Sequence, residues 1–320
     1  QRRHASQGCQ PLAGLELELP DKYLLARLED LIKTVRQNLD EYDYSHAAFS
    51  LYEFIWSELC DWYIEIVKPR FYLKEGGEKS KLAAQCVLNF VFVETMKLLH
   101  PFMPFISEEI FTTFPKGSLE KESLMVSEFP SVESFNAAAG LNFTNEDKND
   151  IYASFKLMKE IIVATRQIRA ELGISPAVQI KPIIVSPSGK VETIMKDNLQ
   201  WIKTVMRAEE FDIRTAMAGK HKGMAVTSVM AEFAGMPDEE RRIDIYVPLA
   251  GLIDVEKEKD RLKKEIAKAD EEFEFVTKKL ENKNFIERAN AEIVEKERAK
   301  LEKYRQIKEK LQATLKSFEE

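Results

Sequence analysis

The stretch SHAAFSLYEFIWSELCDWYIEIVKPRFY (45–72) decides the fold. Its residues Ala48, Leu51, Tyr52, Ile55, Leu59, Trp62 and Ile66 recur at i, i+3, i+4, i+7 spacing, which predicts a helix. Phe49, Phe54, Trp56, Tyr63 and Val67 fill much of the opposite face, so several neighbours must cover it. Phe49, Phe54 and Trp62 read as core. Pro69 is expected to end the helix, because proline disfavours helical geometry at the residue before it. Just past that stop, Lys68, Arg70, Phe71 and Tyr72 form a basic and aromatic corner, with Arg70 and Tyr72 expected to be exposed. By periodicity alone, this is the central helix of a bundle with a solvated cationic end.

The rest of the chain bounds what surrounds that helix. Its 320 residues, 44% hydrophobic and 32% charged, can build two or three charge-rich, helix-leaning domains. No apolar run reaches the roughly 18 residues a membrane span needs. Cys9, Cys60 and Cys86 lack disulfide or zinc spacing, which points to a reducing compartment. A net charge of −7 argues against nucleic-acid binding by bulk electrostatics, but not against local basic patches. His4, His46, His100 and His221 are scattered, so no metal site and no Ser-His-Asp set can be proposed. Glu108-Glu109 and Glu271-Glu272 are neighbours that point apart on a helix rather than acid/base dyads. No catalytic residue is expected, nor a cofactor held by this chain.

Taken in order, 1–20 reads as a poorly ordered leader or vector-derived remnant. A first helix begins at Asp21, its N-cap, with Leu24, Leu28, Leu31, Ile32, Val35 and Leu39 on one face. After the 45–72 helix come another at about 81–99, a break at HPFMPF, a short helix over 106–114 and an irregular connection over 115–135. Together, 21–145 is expected to form a helical bundle. A long amphipathic helix follows (147–172), ended by Gly173, then strand-like QIKPIIVS, a helix, and the strand-like EEFDI, GMAVTSVMAEF and RRIDIYVPL. Strands flanking a helix indicate a small α/β domain over 146–250.

From 251 the pattern is heptad: Val255, Leu262, Ile266, Ala269, Phe273, Val276 and Leu280, then Val294, Leu301, Tyr304, Leu311, Leu315 and Phe318. Asn282, Lys283 and Asn284 suit a reversal between the halves. The expectation is an antiparallel coiled-coil hairpin over 251–320, about 40 Å long at 1.5 Å per residue. The fold class expected is therefore mainly α: a helical bundle, a small α/β connecting domain and a projecting hairpin.

Three stretches carry a resemblance. YEFIWSELCDWYIEIVKPRFY (52–72) and ETMKLLHPFMPFISEEIF (94–111) resemble consecutive helices of the anticodon-binding domain in class I tRNA synthetases of the valine, isoleucine and leucine group. AGLIDVEKEKDRLKKEIAK (250–268), with FIERANAEIVEKERAKLEKY (285–304), resembles the tRNA-binding coiled-coil arm of the valine enzymes. The match covers nearly everything after Pro20. The family's HIGH-like and KMSKS-like catalytic motifs are absent, so ATP and valine would belong to a catalytic domain this chain lacks. The resemblance implies valine tRNA as partner, a monomer in the cytoplasm, and neither DNA nor membrane binding.

Sequence-specific RNA readout targets unpaired bases, which need stacking surfaces and hydrogen-bonding groups. Candidates in the bundle are Arg27, Tyr44, Lys68, Arg70 and Tyr72, with Tyr42 and Phe71 nearby. The family segment matched by LLARLEDL (24–31) carries an arginine that helps shape the anticodon site; Arg27 can equally be a snorkelling surface residue. Phosphate contacts along the arm would come from Lys278, Lys279, Lys283, Arg288, Lys296 and Arg298. Phe285 is either a stacking tip or the plug of the hairpin. Two alternatives stand beside the valine reading: an isoleucyl or leucyl relative, and a non-catalytic protein whose charge-balanced hairpin pairs with a partner helix.

Overall fold

The computed structural model describes residues 12–72, 77–113, 121–217, 223–252, 255–281 and 291–319. They fall into two compact units: 1–159 with 194–205 and 232–235, and 160–193 with 206–231 and 236–320. These divisions differ from the sequence boundaries at 145/146 and 250/251. The first cut falls inside one helix, and the coiled-coil residues group with the sheet. The fold is mainly α, with one small sheet.

In the first unit, α1 (Leu19–Asp40) is followed by α2 (Tyr44–Glu53), a π-helical segment (Phe54–Ile64) and α3 (Glu65–Tyr72) as one continuous rod. The expected stripe already slips in α2, where Ala47 and Leu51 are buried and Ala48 and Tyr52 exposed, and the π segment shifts it further. Its i→i+5 bonding widens each turn. The buried side chains become Ala47, Leu51, Phe54, Leu59, Tyr63, Ile66 and Val67. Phe54, Leu59 and Tyr63 thus share a face that an α-helix would scatter, while Phe49, expected in the core, is 59% exposed. Pro69 does not end the rod: it lies inside α3, whose helix continues to Tyr72. The rod continues although the proline has no N–H to donate to the carbonyl one turn back.

Of the expected leader, residues 1–11 lie outside the described residues, and 12–20 are packed rather than poorly ordered. Leu12 is buried, Leu15 and Leu17 pack on the bundle core, and Lys79 pairs with Glu16 at 2.9 Å. Helix α1 begins before Asp21, with Glu18 at its N-cap. Asp21 sits a turn in, accepting from the Glu18 N–H at 2.9 Å.

Helices α4 (Gly77–Leu99), α5 (Pro104–Thr113) and α6 (Val132–Ala139) complete the bundle. Among the described residues, α4 alone is long and apolar enough to cross a membrane, a test the sequence reading took no stretch to meet. Of its most apolar window, 56% is buried inside the protein, as for a core helix.

Helix α7 (Asn145–Glu171) crosses from the first unit into the second, and Gly173 stops it at φ +61, a conformation glycine adopts without strain. The second unit holds β1 (Ile183–Val185), β2 (Asp212–Arg214), β3 (Met224–Met230) and β4 (Arg242–Pro248), in the order β2-β1-β4-β3. β1 runs parallel to β2, and β4 runs antiparallel to both β1 and β3. Two helices, α8 (Gly189–Asp197) and α9 (Leu199–Met206), separate β1 from β2; a short α10 (Asp238–Arg241) precedes β4. Ile243, Ile245 and Val247 alternate onto the buried face of β4.

Helices α11 (Val255–Glu281) and α12 (Ala291–Glu319) pack side by side. Lys279 pairs with Glu297 at 3.1 Å and Lys308 with Asp270 at 2.5 Å. Positions that rise along one helix meet positions that fall along the other, so the pair is antiparallel. Ala269, Val276 and Val294 are buried along the seam. The reversal expected at Asn282–Asn284 lies outside the described residues.

Candidate nucleic-acid interface

Arg27, Asp30, Leu31 and Thr34 follow i, i+3, i+4, i+7 spacing and lie along one stripe of α1. Facing them across the hairpin are Phe49, Ser50, Glu53 and Phe54. Between the two rows lies a concavity of about 190 Å³. Its floor is apolar, from the buried Leu31 and Phe54; its polar groups are the Arg27 guanidinium, two carboxylates and two hydroxyls. Phe49 stands at its edge and also begins a row: Phe49, Tyr52 and Trp56, spaced i, i+3, i+7. All three are more than half exposed, with the Tyr52 and Trp56 rings 6.3 Å apart. Tyr42 and Tyr44 form a second exposed pair at the α1–α2 turn, edge to face at 6.4 Å. Tyr42 has φ +60, a backbone position where a non-glycine residue is strained, and its ring is not buried in compensation.

Exposed flat rings beside a concavity with donors and acceptors can stack and read unpaired bases. Phosphate attraction is not what this groove provides: it holds one arginine against two carboxylates. Arg27 makes no ion pair among the described residues. Its Nε is buried without a hydrogen-bond partner, and the guanidinium lies over the Tyr152 ring at 5.9 Å. Asp30 accepts from Lys148 Nζ at 2.6 Å and from the Tyr152 hydroxyl at 2.5 Å. Burial works against the Asp30 charge, but these bonds outweigh it and hold the carboxyl below the usual range.

The other bundle candidates lie elsewhere. Lys68, Arg70 and Tyr72 fall past the π segment on the same rod, in α3, and none of them lines the groove. Tyr72 is 79% exposed, and Lys68 is exposed and paired with Glu65. Arg70 is 5% exposed, which corrects the expectation of a solvated, base-reading side chain. Its Nη1 donates to both oxygens of the fully buried Asp21 at 2.9 and 3.0 Å. Its Nε and Nη2 donate to the Ser80 carbonyl at 3.2 and 2.6 Å. Tyr63 donates to Asp21 from a third side at 2.8 Å. Arg70 is a tie between α1, α3 and α4.

Of the aromatics assigned to the core, Phe54 is buried, and Trp62 is half-buried beneath Lys159, whose ammonium lies 5.0 Å from its ring centre. Phe49, Tyr52 and Trp56 escaped the sequence reading. Phe49 and Tyr52 lie in the α-helical turn ahead of the π segment, where the buried stripe runs through Ala47 and Leu51 rather than Ala48 and Tyr52; Trp56 is turned outward within the π segment itself. One signal was present: the rod carries more large apolar side chains than a single bundle helix can bury.

On the hairpin, Lys278 pairs with Glu274 at 3.3 Å, and Lys279 and Lys300 both pair with the buried Glu297. Lys296 and Arg298 are exposed and form no ion pair among the described residues. Lys283, Phe285 and Arg288 lie outside the described residues. The structure adds Phe275, exposed one turn from Lys278 and Lys279. A second concavity, of about 300 Å³, is lined by Lys97, His100 and Met125 among others. There His100 Nδ1 shares a hydrogen bond with Ser107 Oγ at 2.9 Å, the position of an end-of-helix core histidine.

Comparison with known proteins points the same way. Residues 21–184 match the family described as the anticodon-binding domain of tRNA ligase, and residues 254–319 match the valyl tRNA synthetase tRNA binding arm. The valine–tRNA ligase of Geobacter sulfurreducens is 36% identical over 95% of this chain and 31% of its own length. That of Carboxydothermus hydrogenoformans is 36% identical over 93% and 30%, and that of Coxiella burnetii 35% over 97% and 31%. The chain spans about a third of the length of these relatives.

Proposed function

The chain belongs to the anticodon-binding-domain family of tRNA ligases, and on that premise we propose that it is the C-terminal, tRNA-reading part of a valine–tRNA ligase. The complete enzyme would use ATP to join valine to its tRNA; ATP and valine would bind a catalytic part outside this chain. The observation that carries the reading is the α1–α2 groove, which Arg27 and Phe49 line together, with Phe49 beginning an exposed row that continues through Tyr52 and Trp56. There an anticodon base would enter the concavity while its neighbours stack on the row. The α11–α12 hairpin would brace the outer corner of the tRNA through Lys296 and Arg298. The protein is proposed to act as a cytoplasmic monomer, with valine tRNA rather than DNA or a membrane as its partner.

Lys278 and Lys279 are neutralised by carboxylates of the hairpin itself, which favours a second reading: a hairpin that pairs with a partner helix. Substituting Lys296 and Arg298 together by alanine separates the two. If they touch phosphates, the double variant weakens binding to valine tRNA whatever the anticodon. The salt dependence of log K should then flatten by about two units of slope. Unchanged affinity and slope would remove these residues from the tRNA contact and leave the partner-helix reading.

A further inference from the structure

Tyr152, on α7, does not line the groove, yet two of its contacts end on residues that do. Its hydroxyl donates to Asp30 Oδ2 at 2.5 Å, and its ring lies under the Arg27 guanidinium at 5.9 Å. Lys148, one turn earlier, donates to the other Asp30 oxygen at 2.6 Å and pairs with Glu29 at 3.0 Å. Tyr152 is itself fixed from behind: its ring meets that of Tyr23 edge-on at 5.8 Å, and the Tyr23 hydroxyl donates to Glu58 at 2.9 Å. Burial and the bond to Asp30 push the Tyr152 hydroxyl above its ordinary range, so it stays a donor at neutral pH.

An arginine without an anionic partner samples many rotamers, and a ligand that binds it must order it first. A ring beneath the guanidinium reduces that freedom in advance through a cation–π contact. An aspartate held by two donors presents a fixed edge instead of a rotating one. Both effects lower the ordering cost for a base that engages these groups and do nothing for a base that does not, so the gap between the two widens without a new contact.

We infer that Tyr152 is the positioning residue of the groove: it aims Arg27 and Asp30 before RNA arrives, and so sets discrimination between bases rather than overall affinity. This inference rests on the groove being the anticodon site. Pre-ordering one such side chain changes the affinity ratio by up to about tenfold.

The test uses the full chain with valine tRNA and with the same tRNA carrying an exchanged anticodon. The ratio of the two dissociation constants is measured for the wild type, Arg27→Ala, Tyr152→Leu and Tyr152→Phe, with thermal unfolding alongside. Arg27→Ala should collapse the ratio. Tyr152→Leu should lower it by about fivefold to tenfold, with binding of the exchanged tRNA unchanged. A ratio lost in Arg27→Ala but kept in Tyr152→Leu overturns the positioning role alone. So does a Tyr152→Leu variant that weakens both tRNAs equally, since that is what a merely structural residue does. A ratio unmoved by Arg27→Ala overturns the groove reading and the inference together. Should the leucine variant fail to fold, Tyr152→Phe carries the test: it keeps the ring and removes one donor to Asp30. A fall of about twofold to threefold supports the inference, and an unchanged ratio overturns it.

Discussion

Replacing Arg70 by methionine is expected to destabilise the bundle by about 3–5 kcal/mol, the cost of removing one partner from a buried ion pair. Asp21 is fully buried and would lose both guanidinium bonds, keeping only the Tyr63 hydroxyl and the Glu18 N–H. The Ser80 carbonyl would lose two donors at the same time. Urea unfolding followed by tryptophan fluorescence checks this, since Trp56 and Trp62 lie on the same rod. Adding Asp21→Leu to Arg70→Met should recover much of the loss, because apolar replacement of a whole buried pair is often neutral. A loss below about 1 kcal/mol would place Arg70 with ordinary surface ion pairs. That outcome would reopen its sequence-based role as a base-reading side chain.

The second large effect is expected on RNA binding rather than on stability. Phe49→Ala and Trp56→Ala should each weaken binding to valine tRNA by about 1–3 kcal/mol, the usual worth of one base stacked on a ring. Both side chains are more than half exposed, so the thermal midpoint should move little. Titration calorimetry with the tRNA and a melting curve, run on each variant, separate the two quantities. A fall in stability with affinity preserved would return these rings to a packing role. Unchanged affinity in both variants would remove the row from the RNA.

How far the sequence could be read follows from where one period governs the chain. The hairpin was legible because heptads recur along both halves, Lys259 interrupting one slot, and Ala269, Val276 and Val294 are buried where the repeat puts them. The stop at Gly173 was legible because a left-handed residue there needs no tertiary information. The 45–72 rod was legible as a bundle helix but not in its facing. Eleven π-helical residues shift the register, so Phe54 and Tyr63 turn inward while Trp56 faces solvent. Pro69 misled because the clash with the residue before a proline disfavours helix without forbidding it, and packing on Ile66, Val67 and Arg70 holds this rod helical through it. Arg70 misled because a cation after an apparent helix stop reads as solvated. Its partner, Asp21, is 49 residues away, beyond the reach of any local pattern. Of the groove, Arg27 was legible only through the resemblance, and Phe49 and Trp56 not at all.

In the proposed function the α1–α2 groove reads bases while contacts elsewhere hold the rest of the tRNA. The most direct test is the affinity of the unmodified chain for valine tRNA and for the same tRNA with its anticodon exchanged, at two salt concentrations. Binding to the native anticodon is expected to be tighter, by about 1–3 kcal/mol per exchanged base, at both salts. Both complexes are also expected to weaken as salt rises, because their phosphate contacts release counterions. Equal affinity for the two tRNAs at both salt concentrations would contradict base reading by the groove.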